Sequence, residues 1–171
     1  MTKYKTIIAI DPDASQSGVA EVKTETGEIA VYKLGIADLL KYLVDKYYDH
    51  QLTKEETTKV VIEAGWLNES NWHILNKYMT ARKAAAIGRS VGMNHQTGMI
   101  IEQICKDYLE LPTELQRPLK KCWRGKDGKI TQDEMQQLTG HPKLPRMNQD
   151  QRDALLIAWT HAGLPMKMKP H

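Results

Sequence analysis

Two short apolar runs in this sequence end on an acid. Asp11 closes Ile7-Ile8-Ala9-Ile10, and Glu63 closes Val60-Val61-Ile62. An ionised group at the edge of a core is costly unless it is paired or metal-bound. If the two runs are adjacent parallel strands, both acids reach one rim of a sheet, the place where ligands collect in open α/β folds. Each acid taken alone also reads as an ordinary turn or cap residue. Asp150 and Asp153 carry a sharper signal. Three residues apart on a helix, they share a face that continues through Ala154, Ile157, Ala158 and His161. Leu155, Leu156 and Trp159 are apolar as well, so this helix is expected to be mostly buried, with both acids at its amino-terminal end. The helix dipole accounts for acids in a first turn without any function. It does not account for acids that face inward with core residues. Four such carboxylates suit Mg2+ or Mn2+ better than zinc. In phosphodiester hydrolysis, two ions about 4 Å apart activate the attacking water and stabilise the departing oxygen.

A second group is basic. Arg117, Lys120, Lys121, Arg124, Lys126 and Lys129 stand against one acid, Asp127, with Trp123 among them. Positive charge beside an aromatic ring suits a phosphate backbone with unstacked bases; a solvated loop explains it equally well. The net charge of +3 permits a nucleic-acid partner without arguing for one. Trp66 reads either as core or as a stacking platform, and His161 as a satisfied core histidine. Lys167, Lys169 and His171 read as a solvated basic tail, residues 166–171, behind a single domain of residues 1–165.

These side chains need elements to hold them. Lys5–Asp11, Ser17–Lys23 and Glu28–Lys33 read as three strands of an antiparallel meander, with Thr26-Gly27 as a turn. Apolar residues at Ile36, Leu39, Leu40, Leu43, Val44 and Tyr47 predict an amphipathic helix over Ile36–His50. Lys59–Glu63 has the unalternating pattern of a strand covered on both faces. Trp72 to Tyr108 reads as two helices broken near Gly88–Gly92, where glycine would allow a close approach. Pro112 and Pro118 bracket a linker, and Arg124-Gly125-Lys126-Asp127-Gly128 has the glycines of a mobile, substrate-facing loop. Thr131 and Glu134 form a capping box for a short helix to Leu138. Asn148, or its neighbour, can cap a last helix, ended near Ala162 by Gly163 and Pro165. Strands, then a helix, a buried parallel strand and further helices imply an α/β layer fold with a mixed sheet.

Three motifs together resemble the RuvC-like Holliday junction resolvases of the ribonuclease-H-like superfamily. IIAIDPDASQSGVAEV, from Ile7 to Val22, is similar to the family's first strand and hairpin. VVIEAGW is similar to its second acidic motif, with Trp66 three positions after Glu63, and DQRDALLIAWTHA, from Asp150 to Ala162, to its closing acidic helix. Ala86–Gly92 is a weaker match in the expected order. The resemblance implies a ribonuclease-H-like mixed five-stranded sheet flanked by helices. It implies Asp11, Glu63, Asp150 and Asp153 as metal ligands, Trp66 near the opened bases of a junction, and Lys120 or Lys121 near the scissile phosphate. It also implies a homodimer making paired nicks. Asp13 stands where the family usually has glycine, and Gln132, with Lys129 nearby, stands for a second lysine. Asn94, His95 and Gln96 replace small apolar residues.

The expected activity is therefore metal-dependent, structure-selective cleavage of branched DNA. The alternatives are a nuclease of the same fold acting on RNA or another DNA form, and a non-catalytic nucleic-acid-binding module. DPDASQSG also resembles a phosphate loop of actin-like ATPases and sugar kinases, but those folds need two such domains, and 171 residues supply one. Apolar residues at 41% and charged residues at 26% are ordinary for a globular chain. No apolar run approaches the roughly 20 residues of a membrane span. The amino terminus lacks a signal-peptide pattern, so a cytoplasmic location is expected. Cys105 and Cys122 lack any CxxC spacing and read as ordinary thiols.

Overall fold

The computed structural model describes residues 4–52, 57–68 and 79–168. Three strands, β1 (Thr6–Asp11), β2 (Ser17–Lys23) and β3 (Ile29–Leu34), form the antiparallel meander. Helix α1 (Ile36–Leu52) leads to β4 (Thr58–Glu63), which pairs parallel with β1. A further strand, β5 (Thr113–Gln116), pairs parallel with β4. The sheet order is β3-β2-β1-β4-β5, the mixed five-stranded α/β arrangement that the resemblance implied. β5 occupies the segment between Pro112 and Pro118 that the sequence marks only as a linker. Four residues with one fully apolar side chain, Leu115, give almost no periodicity to detect.

Side chains alternate across a strand, and here the alternation decides where the acids go. Ile8, Ile10, Val19, Val60 and Ile62 pack on one face against Leu39 and Leu43 of α1. Ile7, Ala9, Ala20, Val22 and Val61 pack on the other. That second face is covered by α3 (Gln132–Thr139) and α4 (Gln149–His161). By period two, Asp11 follows Ala9 and Glu63 follows Val61, so both belong to the α4 side. Both caps foreseen in the sequence are present. Thr131 and Glu134 form a reciprocal capping box on α3, and Asn148 and Gln151 form another on α4. Gly140 ends α3 at φ 72°, a conformation glycine adopts without a Cβ penalty.

One expectation fails outright. Residues Ala81–Gln103 form one uninterrupted helix, α2, continued by a π-helical turn over Ile104–Tyr108. A Cβ placed at Gly88 or at Gly92 would meet nothing within 4 Å among the described residues, so these glycines do not break the helix and show no close approach to them. The cost of glycine, about 1 kcal/mol each in a helix interior, is too small to interrupt a helix of this length. The start of the expected first helix, from Trp72 to residue 78, lies outside the described residues. The close approach occurs at Gly98 instead. There a Cβ would come within 2.3 Å of the Trp66 ring and 3.1 Å of Pro12.

Of the expected basic tail, residues 166–168 are described and dock onto the domain, while Lys169 and His171 lie outside the described residues. The Lys167 amide donates to the Leu138 carbonyl at 2.9 Å, and Met168 packs against the α4-side core. Among the described residues no helix is long and apolar enough to cross a membrane.

Candidate functional site

Asp11 and Glu63 each lie one residue beyond the paired Ile10 and Ile62, at the same level on neighbouring parallel strands. Helix α4 brings Asp150 and Asp153 to them. It can do so because Gly18, paired with Asp11 on β2, has no side chain: a Cβ there would lie 2.3 Å from the Asp150 carbonyl carbon and oxygen. The first turn of α4 therefore rests directly on the sheet beside Asp11.

The four acids feel one another. Burial pushes the Asp11 carboxyl well up, and Glu63, Asp153 and Asp150 push it further, against a smaller opposing pull from Lys129. Burial also carries Glu63 from 4.5 to about 7, with Asp153 and Asp150 adding to the rise and Lys129 opposing it. Asp150 is raised by burial and by Asp13. Like charges gathered in a partly dry site hold protons more tightly, and a cation reverses the effect.

The cation present is a lysine. Lys129 Nζ lies 3.0 Å from Asp153 Oδ2, and Gln149 Nε2 donates to Asp153 Oδ1 at 2.7 Å. Burial works against the charge on Lys129, but its hydrogen bond to Asp153 and the fields of Asp153, Asp11 and Glu63 raise its pKa. Both oxygens of Asp153 are thus engaged. Among the described residues no three His, Cys, Asp or Glu side chains already converge to hold an ion. The donor set nonetheless has the chemistry of a hard-cation site, four carboxylates whose repulsion a divalent ion would relieve. Each Asp153 oxygen makes one hydrogen bond and keeps acceptor capacity for such an ion.

The basic segment is less loop-like than its composition suggests. Trp123 N–H donates to the Gly128 carbonyl at 3.0 Å, and Gly128 N–H to the Gly125 carbonyl at 3.0 Å, closing a tight turn. Gly128 sits at φ 72°, and a Cβ on Gly125 would fall 2.2 Å from the Lys129 carbonyl oxygen. These glycines serve the turn rather than a free loop. The turn doubles the chain back, so Lys129 returns beside Lys121 and reaches the acids. Trp123, expected beside phosphates, packs partly buried against the α4-side core and lines a small pocket with Lys120, Lys121, Glu63 and Asp153. Arg117 spends a guanidinium N–H on the Leu67 carbonyl at 2.9 Å. Lys120 and Lys121 border a small pocket of about 70 Å³ that also touches Glu63 and Asp153. Arg124 and Lys126 are exposed.

A larger cleft of about 350 Å³ opens over the acids, walled by Asp11, Glu63, Lys121, Lys129, Trp66 and His95. Trp66 is anchored in the α1-side core and lines this cleft with the rest of its ring. Sequence reasoning missed three participants: Lys129 as the counter-ion of the acids, Gln149 as a partner of Asp153, and the Asn94-His95 pair. Asn94 accepts from the Ala14 amide at 2.9 Å and donates to Asp13 at 3.2 Å, tying α2 to the loop after Asp11. Asp13 is partly buried, which opposes its charge, but hydrogen bonds from Ser15, Gln16 and Asn94 hold its carboxyl low. It is a turn-forming acid tied back to its own loop. His161, read as a satisfied histidine, has its Nε2 3.1 Å from Gln116 Oε1.

No protein-family model matches the sequence, and no curated protein matches it. Among solved structures, T. thermophilus RuvC in complex with a Holliday junction substrate is similar at a TM-score of 0.46 and 13% identity, covering 95% of this chain and 99% of that one. The Aquifex aeolicus member of the Ppx/GppA family is similar at 0.29 and 12%, covering 68% of this chain and 36% of that one. Likenesses at these values transfer no function; the fold described above rests on this chain's own strand order.

Proposed function

We propose that this chain is a Mg2+- or Mn2+-dependent endonuclease that cuts phosphodiester bonds in branched DNA such as a four-way junction. The observation that carries the reading is that Asp153 and Asp150 raise the pKa of both Asp11 and Glu63, two acids that line a cleft with Lys121, Lys129 and Trp66. Four acids would be an expensive arrangement in a domain that had no cation to place among them.

In this reading the chain's own side chains divide the work. Lys121 and Lys129, with Lys120 at the edge, draw the phosphate over the acids and balance its charge. Trp66 offers a flat face for a base that has left its stack. Asp11, Glu63, Asp150 and Asp153 hold the divalent ions, which supply the activated water and the stabilisation of the leaving oxygen. Lys129 exchanges Asp153 for phosphate as the site fills. Arg117, Arg124 and Lys126 add backbone contacts farther out, and Trp123 acts indirectly, by anchoring the turn that returns Lys129.

A homodimer fits the same reading. Helix α2 leaves Met93 48% and Ile100 39% exposed, seven residues apart on one face, beside the open Gly92. Apolar residues repeated along one face of a long helix favour burial against a second copy.

The test is a labelled four-way junction incubated with purified protein and Mg2+ or Mn2+. Symmetric nicks are expected, with none in chelator. Asp11→Asn and Asp153→Asn should abolish cutting while leaving junction binding. Equal cutting by those variants refutes the assignment. Stronger cutting of an RNA–DNA hybrid in direct competition would move the substrate class.

A further inference from the structure

His95 lies on α2, a helix whose sequence shows no reason for a histidine at that position, and it forms part of the cleft wall with Trp66. The two rings are 6.4 Å apart at 67°, close to edge-on. The Nε2 edge of the imidazole lies over Gly65, where a Cβ would come within 2.9 Å of that nitrogen. Among the described residues neither ring nitrogen of His95 has a hydrogen-bond partner. A polar ring that is half-buried and unspent, in a cleft that also holds cations and acids, has hydrogen-bonding capacity available for a ligand.

Its position is fixed. The preceding residue, Asn94, is tied by two hydrogen bonds to Asp13 and Ala14, so this part of α2 is fastened to the loop that follows Asp11. His95 is therefore held at a set place relative to the acids. A base lying flat on the Trp66 indole would meet the imidazole at the same steep angle that the two rings make. The edge of a base is where donors and acceptors differ from base to base. Stacking on an indole is nearly blind to base identity. The hydrogen-bonding ring beside it is not.

We propose that His95 is a specificity-determining residue: it reads the edge of a base stacked on Trp66 and so sets which nucleotide lodges beside the acids. This rests on the nuclease reading above and adds a division of labour within the cleft. Trp66 supplies affinity, and His95 supplies choice.

The experiment is equilibrium binding in chelator, which keeps cutting out of the measurement. Four synthetic junctions, alike except for A, C, G or T at the crossover, are titrated with the full chain. The wild type is expected to separate best from worst base by about tenfold, the discrimination one base-edge contact supplies. His95→Phe keeps a ring in the wall and loses the nitrogens, so the spread should fall below about twofold while mean affinity changes little. His95→Gln keeps a donor and an acceptor and should retain a clear preference. Gly65→Ala pushes the imidazole aside and should narrow the spread with His95 still present. Trp66→Ala should weaken all four junctions alike, by about tenfold. Thermal melts on every variant separate lost folding from lost choice. An unchanged spread in His95→Phe, or a wild type that binds all four bases equally, overturns the proposal while leaving the nuclease reading standing. A wild type that binds no nucleic acid overturns both.

Discussion

Glu63→Gln is predicted to stabilise the metal-free protein, and to do so only at the higher end of the pH range. Glu63 ionises at 4.5 in an exposed setting and at about 7 here, through burial and the nearby charges of Asp153 and Asp150. Between those two values the folded chain keeps a proton that the unfolded chain has already released. Each pH unit across that interval therefore removes stability, at 1.36 kcal/mol per unit. The contribution is fully present below pH 4.5 and lost as pH rises through about 7, amounting to about 3 kcal/mol. Glutamine has nearly the same shape and never ionises. The variant should match the wild type near pH 4.5 and exceed it by about 3 kcal/mol at pH 8 in chelator. For a chain of this size that is roughly 6–12 °C in melting temperature. Asp11 is raised in the same direction, so the variant should still lose some stability with pH, along a shallower curve. The assay is urea unfolding at half-unit steps from pH 4.5 to 8.5, with and without Mn2+. Adding Mn2+ should stabilise the wild type at pH 8 by mass action and the variant much less. Parallel curves for the two proteins would refute the reasoning, because the acids would then not share a common electrostatic environment.

Lys129→Met removes the cation from Asp153, and Mn2+ affinity measured by spin-resonance titration should rise about three- to tenfold. The same variant should cut poorly, since its phosphate contact is gone; tight metal binding with slow cutting is the signature to look for. Gly18→Ala places a Cβ against the Asp150 backbone, which should cost about 2–3 kcal/mol or tilt α4 away from Asp11. A melting temperature unchanged within 2 °C, with full activity, would contradict the packing argument. Met93→Glu combined with Ile100→Glu should convert a dimer to a monomer in sedimentation, whereas a monomeric wild type would end the homodimer proposal. Thr131→Ala breaks the α3 capping box and should cost about 1 kcal/mol in urea unfolding.

What the sequence made legible followed from short-range rules. The meander, α1, β4, the α3 capping box and the cap at Asn148 are written in spacings of two to four residues, and the structure has each of them. The missed features depend on contacts between residues far apart in the chain. β5 has too few apolar residues to announce itself and exists because β4 offers a parallel edge. The two glycines in the middle of α2 looked like punctuation, but the helix passes through them; the glycines that matter are Gly18 and Gly98, whose roles depend on Asp150 and Trp66. No window around Lys129 shows that it belongs with Asp153, 24 residues away. The basic residues around Trp123 in sequence give no sign that its ring also packs against the α4-side core.

Strand parity gives the four acids a common physical cause. Asp11 and Glu63 reach the α4 side because each stands two residues after a side chain buried on that side, Ala9 and Val61. Asp150 and Asp153 reach it because α4 settles onto Gly18, the residue paired with Asp11. The same backbone contact that completes the core therefore brings the acids together, and the charge repulsion that follows cannot be relieved by moving α4 without opening the core. Relief comes from a retained proton at low pH and, once the acids ionise, from a cation. Lys129 provides it at Asp153, and its pull on Asp11 and Glu63 is too small to offset their burial. That imbalance is the physical content of the proposed metal site. It can be measured as a pH-dependent loss of stability before any substrate is known.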